Sequence, residues 1–184
     1  SGAGMLTLVD QDTYSESNLN RQLGALHSTL GQYKAQVMAD RIRDIHPGCQ
    51  VRAITRLYTE ADKASFFDVP YDYIVDAIDL VSCKLSLIEH AHRLDIPIIS
   101  ALGTGNKLDP AAFRIADISR TSVCPLARVV RRELKARGIL HHKVLFSTEP
   151  ALTPAPLDAP PPGRRSIPAS VSWVPSLSLI HISE

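Results

Sequence analysis

Residues 73–79, Tyr-Ile-Val-Asp-Ala-Ile-Asp, decide the fold class of this chain. The stretch is apolar, β-branched and short, as expected of a strand buried on both faces, and it closes on a carboxylate at Asp79. Two other stretches have the same form: Met5–Val9, which ends at Asp10, and residues 96–101. Helical spacing separates them. Over residues 31–46, Ala35, Met38, Ile42 and Ile45 fall on one face, and Pro47-Gly48 stops the pattern. Residues 50–54 then alternate as a strand. Residues 82–94 place Leu85, Ile88, Ala91 and Leu94 on one side of a second helix. Further on, residues 113–117 and 143–147 read as strands around a helix at 125–137, with Pro125 in its first turn and Gly138 as its stop. Strands and helices alternating at this spacing predict an open α/β fold, a mostly parallel sheet covered by helices.

Composition sets the outer limits. The chain has 184 residues, 45% hydrophobic and 21% charged, which suits one domain with a sizeable core and excludes whole-chain disorder. Twenty basic and nineteen acidic residues leave a net charge of +1, so bulk charge selects no partner. No apolar run reaches about 18 residues, so no membrane-spanning helix is expected. Cys49, Cys83 and Cys124 are odd in number, far apart and form no C-x-x-C pair. They suit a reducing cytosol, and a cytoplasmic protein is expected.

In open α/β sheets, ligands bind at the carboxyl ends of strands. Asp10 stands at one such end, suited to accept from a ribose hydroxyl. Asp79 stands at another, suited to hold a magnesium ion or polarise a reacting group. Between them lie Asn18 and Arg21, within Ser-Asn-Leu-Asn-Arg-Gln (17–22), and Lys34, in Gly-Gln-Tyr-Lys (31–34) at a helix start. Arg21 and Lys34 have the charge to neutralise a triphosphate, assisted by helix N–H donors. Taken singly, each has a plainer reading. A strand-end aspartate also serves as a turn cap, and a lone Lys or Arg as a solvated surface group.

The order D-x-D, S-N-L-N-R-Q, G-Q-x-K, D-A-I-D resembles the adenylating domain of the ThiF/MoeB/HesA family, which is related to the ubiquitin-activating enzymes. The resemblance implies a Rossmann-like domain, incomplete at the N-terminus, that uses ATP and Mg²⁺ to charge a carboxylate with AMP. It implies that Asp10 binds the ribose, that Asn18, Arg21 and Lys34 contact the phosphates, and that Asp79 is the magnesium-side aspartate. Asp79 and Arg21 would then carry catalysis. Leu80 departs from the family's usual Asn at that position.

Residues 101–110, 117–118, 121–128 and 144–149 resemble one branch of that family, the tRNA threonylcarbamoyladenosine dehydratases. Members of this branch activate the threonylcarbamoyl carboxylate on a tRNA adenosine and close a ring with loss of water. The resemblance implies a tRNA substrate, a homodimer and a possible sulfur-relay partner protein. The alternative within the family is an adenylyltransferase for a ubiquitin-like sulfur carrier, whose relatives usually carry the paired C-x-x-C motifs missing here. From Arg128 to Lys143 there are six basic residues and one acid, Glu133. Arg128, Arg131, Arg132 and Lys135 are therefore candidate tRNA contacts, set against an ordinary solvated helix face. Cys124, just before a helix start, is either a reactive thiol or a half-buried structural one.

Three regions are expected along the chain: an ATP-binding adenylating domain at 1–149, a proline-rich loop leading into a C-terminal segment at 150–176, and a non-native tail at 177–184. Eight of the thirteen prolines fall between Pro150 and Pro175. The family's first strand and glycine-rich phosphate loop precede the segment that matches Met5–Val9. The chain by itself is accordingly expected to bind ATP weakly and to be inactive alone.

Overall fold

Strand β1 (Met5–Val9) lies parallel to β2 (Gln50–Ile54), paired from Met5↔Gln50 to Val9↔Ile54, with helix α1 (Lys34–Ile45) packed on both. A parallel pair needs a long crossover, and α1 supplies it. The structure, a computed structural model, describes residues 2–153. The chain divides into two compact units, Ser1–Asp68 and Val69–Glu184, and β1, α1 and β2 make the first.

The second unit contains β3 (Ile74–Asp76), α2 (Val81–Arg93), β4 (Ile98–Ala101), β5 (Phe113–Asp117), α3 (Pro125–Ala136) and β6 (Lys143–Ser147). Its sheet runs β3-β4-β6-β5; the first three strands are parallel and β5 is antiparallel to β6. The expected α/β class with mostly parallel strands is the one observed. Ile88, Ile99, Val130, Leu134, Val144 and Leu145 fill the core between this sheet and its helices. Each such side chain contributes roughly 1.5–3 kcal/mol through burial. Helix α2 is buried over most of its surface. Helix α3 buries only Ala127, Val130 and Leu134, a stripe at i, i+3 and i+7, and turns its charged side outward.

Several sequence expectations shift in detail. Helix α1 begins at Lys34, and its buried residues are Ala35 and Ala39; Ile45, expected on that face, is 70% exposed. At 3.6 residues per turn, Ile45 lies about 80° around the helix from Ala35, on its rim. Leu94, expected to face the core from α2, follows the helix end and is exposed. The strand expected at 96–101 starts at Ile98. The strand expected at 73–79 ends at Asp76, three residues before Asp79. The proline-rich segment from residue 154 and the tail at 177–184 lie outside the described residues. Among the described residues, no helix is long and apolar enough to cross a membrane.

Candidate functional site

Asp10 follows β1 directly, and its N–H donates to Ile54 O (3.1 Å), so β2 fixes it at the carboxyl end of the strand. Its Oδ1 accepts the N–H of Asp12 (2.9 Å), which turns the chain into the loop over residues 10–34. A short antiparallel seam closes that loop. Thr13 bridges Tyr33, Tyr14 N–H donates to Gln32 O, Gly31 N–H to Tyr14 O, and Lys34 N–H to Asp12 O, the last three each at 2.9 Å. Gly31 adopts φ +80°, a conformation that favours glycine at this turn.

Lys34 is the first residue of α1, and its Nζ lies 3.1 Å from Asp12 Oδ2. The lysine side chain is only 16% exposed, so the seam and the ion pair together aim it. Asn18 is buried. Its Oδ1 accepts Ser15 N–H (3.1 Å) and its own N–H donates to Ser15 O (2.9 Å), a reciprocal clasp over one turn. Arg21 Nη1 donates to Ser17 O (2.6 Å) and to Asn20 Oδ1 (3.0 Å), which fixes the guanidinium against the same turn. Asp10, Asn18, Arg21 and Lys34 thus share one loop system of the first unit.

Tyr14 braces that loop from inside. It is buried, and a methyl group added at Gly24 would lie 2.1 Å from its Oη. Burial, with the Asp10 carboxylate second, holds the phenol above its ordinary pKa, so it stays protonated.

Asp79 belongs to the second unit. It is exposed, in the loop joining β3 to α2, beyond the carboxyl end of β3. Sequence reading missed its neighbour. Asp76, the last residue of β3, is fully buried and pairs with fully buried Lys84 at 2.7 Å. The available signal was a lysine directly between Cys83 and Leu85 in a stretch that continues to Leu87 and Ile88, with no other charged residue before Glu89.

The candidate tRNA residues separate by contact. Arg131 Nη1 donates to Thr121 Oγ1 (2.8 Å), Thr121 O (3.0 Å) and Ile118 O (3.3 Å), tying α3 to the segment before it. That side chain holds the fold together, which removes it from the outward basic face. Arg132 pairs with Glu133 (3.0 Å) at the surface, while Arg128 and Lys135 are exposed. Cys124 is a free thiol at the N-cap of α3 and is buried rather than half-buried. His142, unremarked in the sequence, sits between Ser100 and His92. Among the described residues, no group of three or more His, Cys, Asp or Glu is arranged to hold a metal ion.

Each unit has parallel strands with an acidic group just beyond a carboxyl end, Asp10 after β1 in the first and Asp79 after β3 in the second, and Lys34 opens α1, features that define the parallel α/β class, in which ligands bind at strand ends. A profile of the ThiF family matches residues 1–144, and the chain belongs to that family. It is 47% identical over 150 residues to the tRNA threonylcarbamoyladenosine dehydratase of Bacillus subtilis, an alignment covering 81% of this chain and 59% of that protein. The chain therefore spans less than two thirds of that relative. Crystal structures of the Escherichia coli tRNA threonylcarbamoyladenosine dehydratase in complex with AMP and with ATP superpose with TM-scores of 0.85 and 0.84. Both show 33% identity over 98% of this chain and 73% of theirs. The Escherichia coli molybdopterin-synthase adenylyltransferase is 31% identical over 100 residues, which is 54% of this chain and 40% of that protein.

Proposed function

We propose that this chain is the ATP-binding, carboxylate-adenylating portion of a tRNA threonylcarbamoyladenosine dehydratase. The observation that carries the reading is the 47% identity to a dehydratase over 81% of the chain. The geometry of the 10–34 loop supports it. Asp10 suits a ribose hydroxyl, Arg21 and Lys34 suit the phosphates, and Asn18 shapes the turn that carries Arg21. Mg²⁺ fits the donor set through Asp79, an exposed carboxylate of the hard-oxygen type it prefers. When bound, it would supply charge neutralisation at the phosphates.

The chemistry follows from leaving-group ability. The threonylcarbamoyl carboxylate attacks the α-phosphorus of ATP, forming an acyl-phosphate bond and releasing pyrophosphate. A nucleophilic atom of the neighbouring carbamoyl group then attacks the acyl carbon; the new ring bond replaces the bond from that carbon to the bridging oxygen, AMP leaves with that oxygen and the attacking group gives up a proton, so the nucleoside loses one water overall. Arg21 and Lys34 meet the charge that builds on the phosphate oxygens. Arg128, Arg132 and Lys135 on the outward side of α3 suit tRNA phosphates. A homodimer and a cytoplasmic location belong to the same reading.

The test joins this chain to the flanking segments of the Bacillus subtilis relative, incubates the product with ATP, magnesium and threonylcarbamoyladenosine-bearing tRNA, alongside Asp79→Ala, and weighs the modified nucleoside. Loss of one water, abolished by the substitution, is expected. An unchanged mass together with AMP transfer to the C-terminus of a ubiquitin-like carrier would replace this reading with the adenylyltransferase one.

A further inference from the structure

The Asp76–Lys84 pair takes no part in the chemistry above, yet its bonds converge on the loop that does. Asp76 divides its two oxygens between two tasks. Oδ2 accepts from Lys84 Nζ at 2.7 Å, and Oδ1 accepts the backbone N–H of Ile78 at 2.9 Å. Lys84 also donates Nζ to Ala101 O (3.1 Å), at the carboxyl end of β4, and its N–H to Leu80 O (3.0 Å) in the first turn of α2. The Asp76 carboxylate therefore holds the loop over residues 77–80 at Ile78, one residue before Asp79, while the bond to Leu80 O is the ordinary backbone bond of the helix start and does not depend on the lysine side chain.

A fully buried ion pair is a poor source of stability, because desolvating both charges offsets most of their attraction. Apolar side chains of similar size would fill the same volume at least as well. What they could not supply is an acceptor for Ile78 N–H or a cross-link from β3 to the end of β4. We infer that Asp76 is a positioning residue, whose carboxylate holds the Asp79 loop in the geometry that adenylation requires, and that Lys84 serves as the partner that neutralises its charge. The inference rests on the reading of Asp79 given above.

The test compares two double variants of equal charge in the whole protein. Asp76→Ala with Lys84→Met removes the pair and the acceptor for Ile78, whereas Asp76→Asn with Lys84→Met removes the pair but keeps an acceptor oxygen. Neither leaves a buried charge without its partner. Amide hydrogen exchange at Ile78 and Ile88 is followed by NMR without nucleotide, and turnover is measured with Asp79→Ala as reference. In the alanine version, Ile78 exchange should accelerate about tenfold or more while Ile88, inside α2, stays protected. Its kcat should fall about 10- to 100-fold, with the KM for tRNA nearly unchanged. The asparagine version should keep Ile78 protected and recover most of kcat. Equal exchange and equal kcat in the two versions would overturn the inference, as would simultaneous loss of protection at Ile88, which marks a purely structural pair. If wild type proves inactive, the adenylation reading fails separately, and with it the role assigned to the loop; the Ile78 comparison then reports only the clamp.

Discussion

His142 Nε2 stands 2.8 Å from Ser100 Oγ, and both residues are buried, Ser100 in β4 and His142 just before the start of β6. The other ring nitrogen, Nδ1, faces His92 Nε2 at 3.3 Å. Burial first, then His92 and Lys84, pull the His142 pKa down from 6.5 to about 4, against a smaller opposing pull from Asp117. His142 is therefore neutral when folded and becomes protonated more readily on unfolding.

The sign of the pH effect follows. The unfolded chain binds the extra proton below pH 6.5, so stability is fully retained above that pH and declines as pH falls towards 4. The loss approaches about 3 kcal/mol by pH 4. Urea unfolding of wild type and His142→Gln between pH 7.5 and 4 measures it. The variant should be less stable at neutral pH, with a flatter decline between pH 6.5 and 5. Parallel curves would assign the acid sensitivity to other groups.

Gly24 lies against the buried Tyr14 ring, and a methyl group there meets Oη at 2.1 Å and Cζ at 2.8 Å. The ring is buried, and the Tyr14 backbone is fixed by its bonds to Gln32 and Gly31 beside the Thr13–Tyr33 bridge. Gly24→Ala should cost about 1–3 kcal/mol, the usual range for overpacking. Tyr14→Phe with Gly24→Ala should recover part of that cost, because the removed hydroxyl makes the closest contact. Denaturant midpoints of the single and double variants decide this, and an unaltered midpoint in Gly24→Ala would show that the loop yields freely.

Legibility in the sequence tracked how local each signal was. β1, β2, β5 and β6 match their expected spans, because short β-branched or alternating stretches between turn residues carry their own boundaries. The end of β3 could not be read, because it is set by Asp76 reaching Ile78 and Lys84, and apolar periodicity continues through Ala77 and Ile78 regardless. The motif residues from Asp10 to Lys34 were legible as types in order. The seam that groups them depends on backbone pairing between residues about twenty apart, which no local pattern reports. Arg131 looked equivalent to Arg128 and Arg132 in a basic run. Only packing against Thr121 distinguishes it.

Lys107 is 3% exposed and donates Nζ to the backbone carbonyls of Ser147 and Glu149, while the Glu149 carboxylate accepts N–H groups of Leu108 and Asp109 at 3.0 Å. Those N–H bonds hold the Glu149 pKa below the ordinary carboxylate value, so the clasp is complete at neutral pH and weakens as acid protonates it. Glu149→Ala should release residues 107–109 and speed trypsin cleavage after Lys107 several-fold, with little change in global unfolding. A cleavage rate equal to wild type would show that Lys107 alone secures the loop.

The basic run on α3 gives the last prediction, since its members should fail differently. Arg131 is bonded to Thr121 and to Ile118 O, so Arg131→Ala strips partners from half-buried acceptors. It should destabilise the second unit by about 1–3 kcal/mol. Arg128 and Lys135 point outward from the Ala127–Val130–Leu134 stripe, and their joint replacement by alanine should leave the unfolding midpoint near wild type. If tRNA lies on this face, that double variant should weaken binding and reduce the slope of log K against log salt by about one to two. Filter binding at several salt concentrations, paired with urea unfolding, separates the two effects. An unchanged slope in the outward variant would return α3 to an ordinary solvated helix and move the search for the tRNA contact elsewhere on the protein.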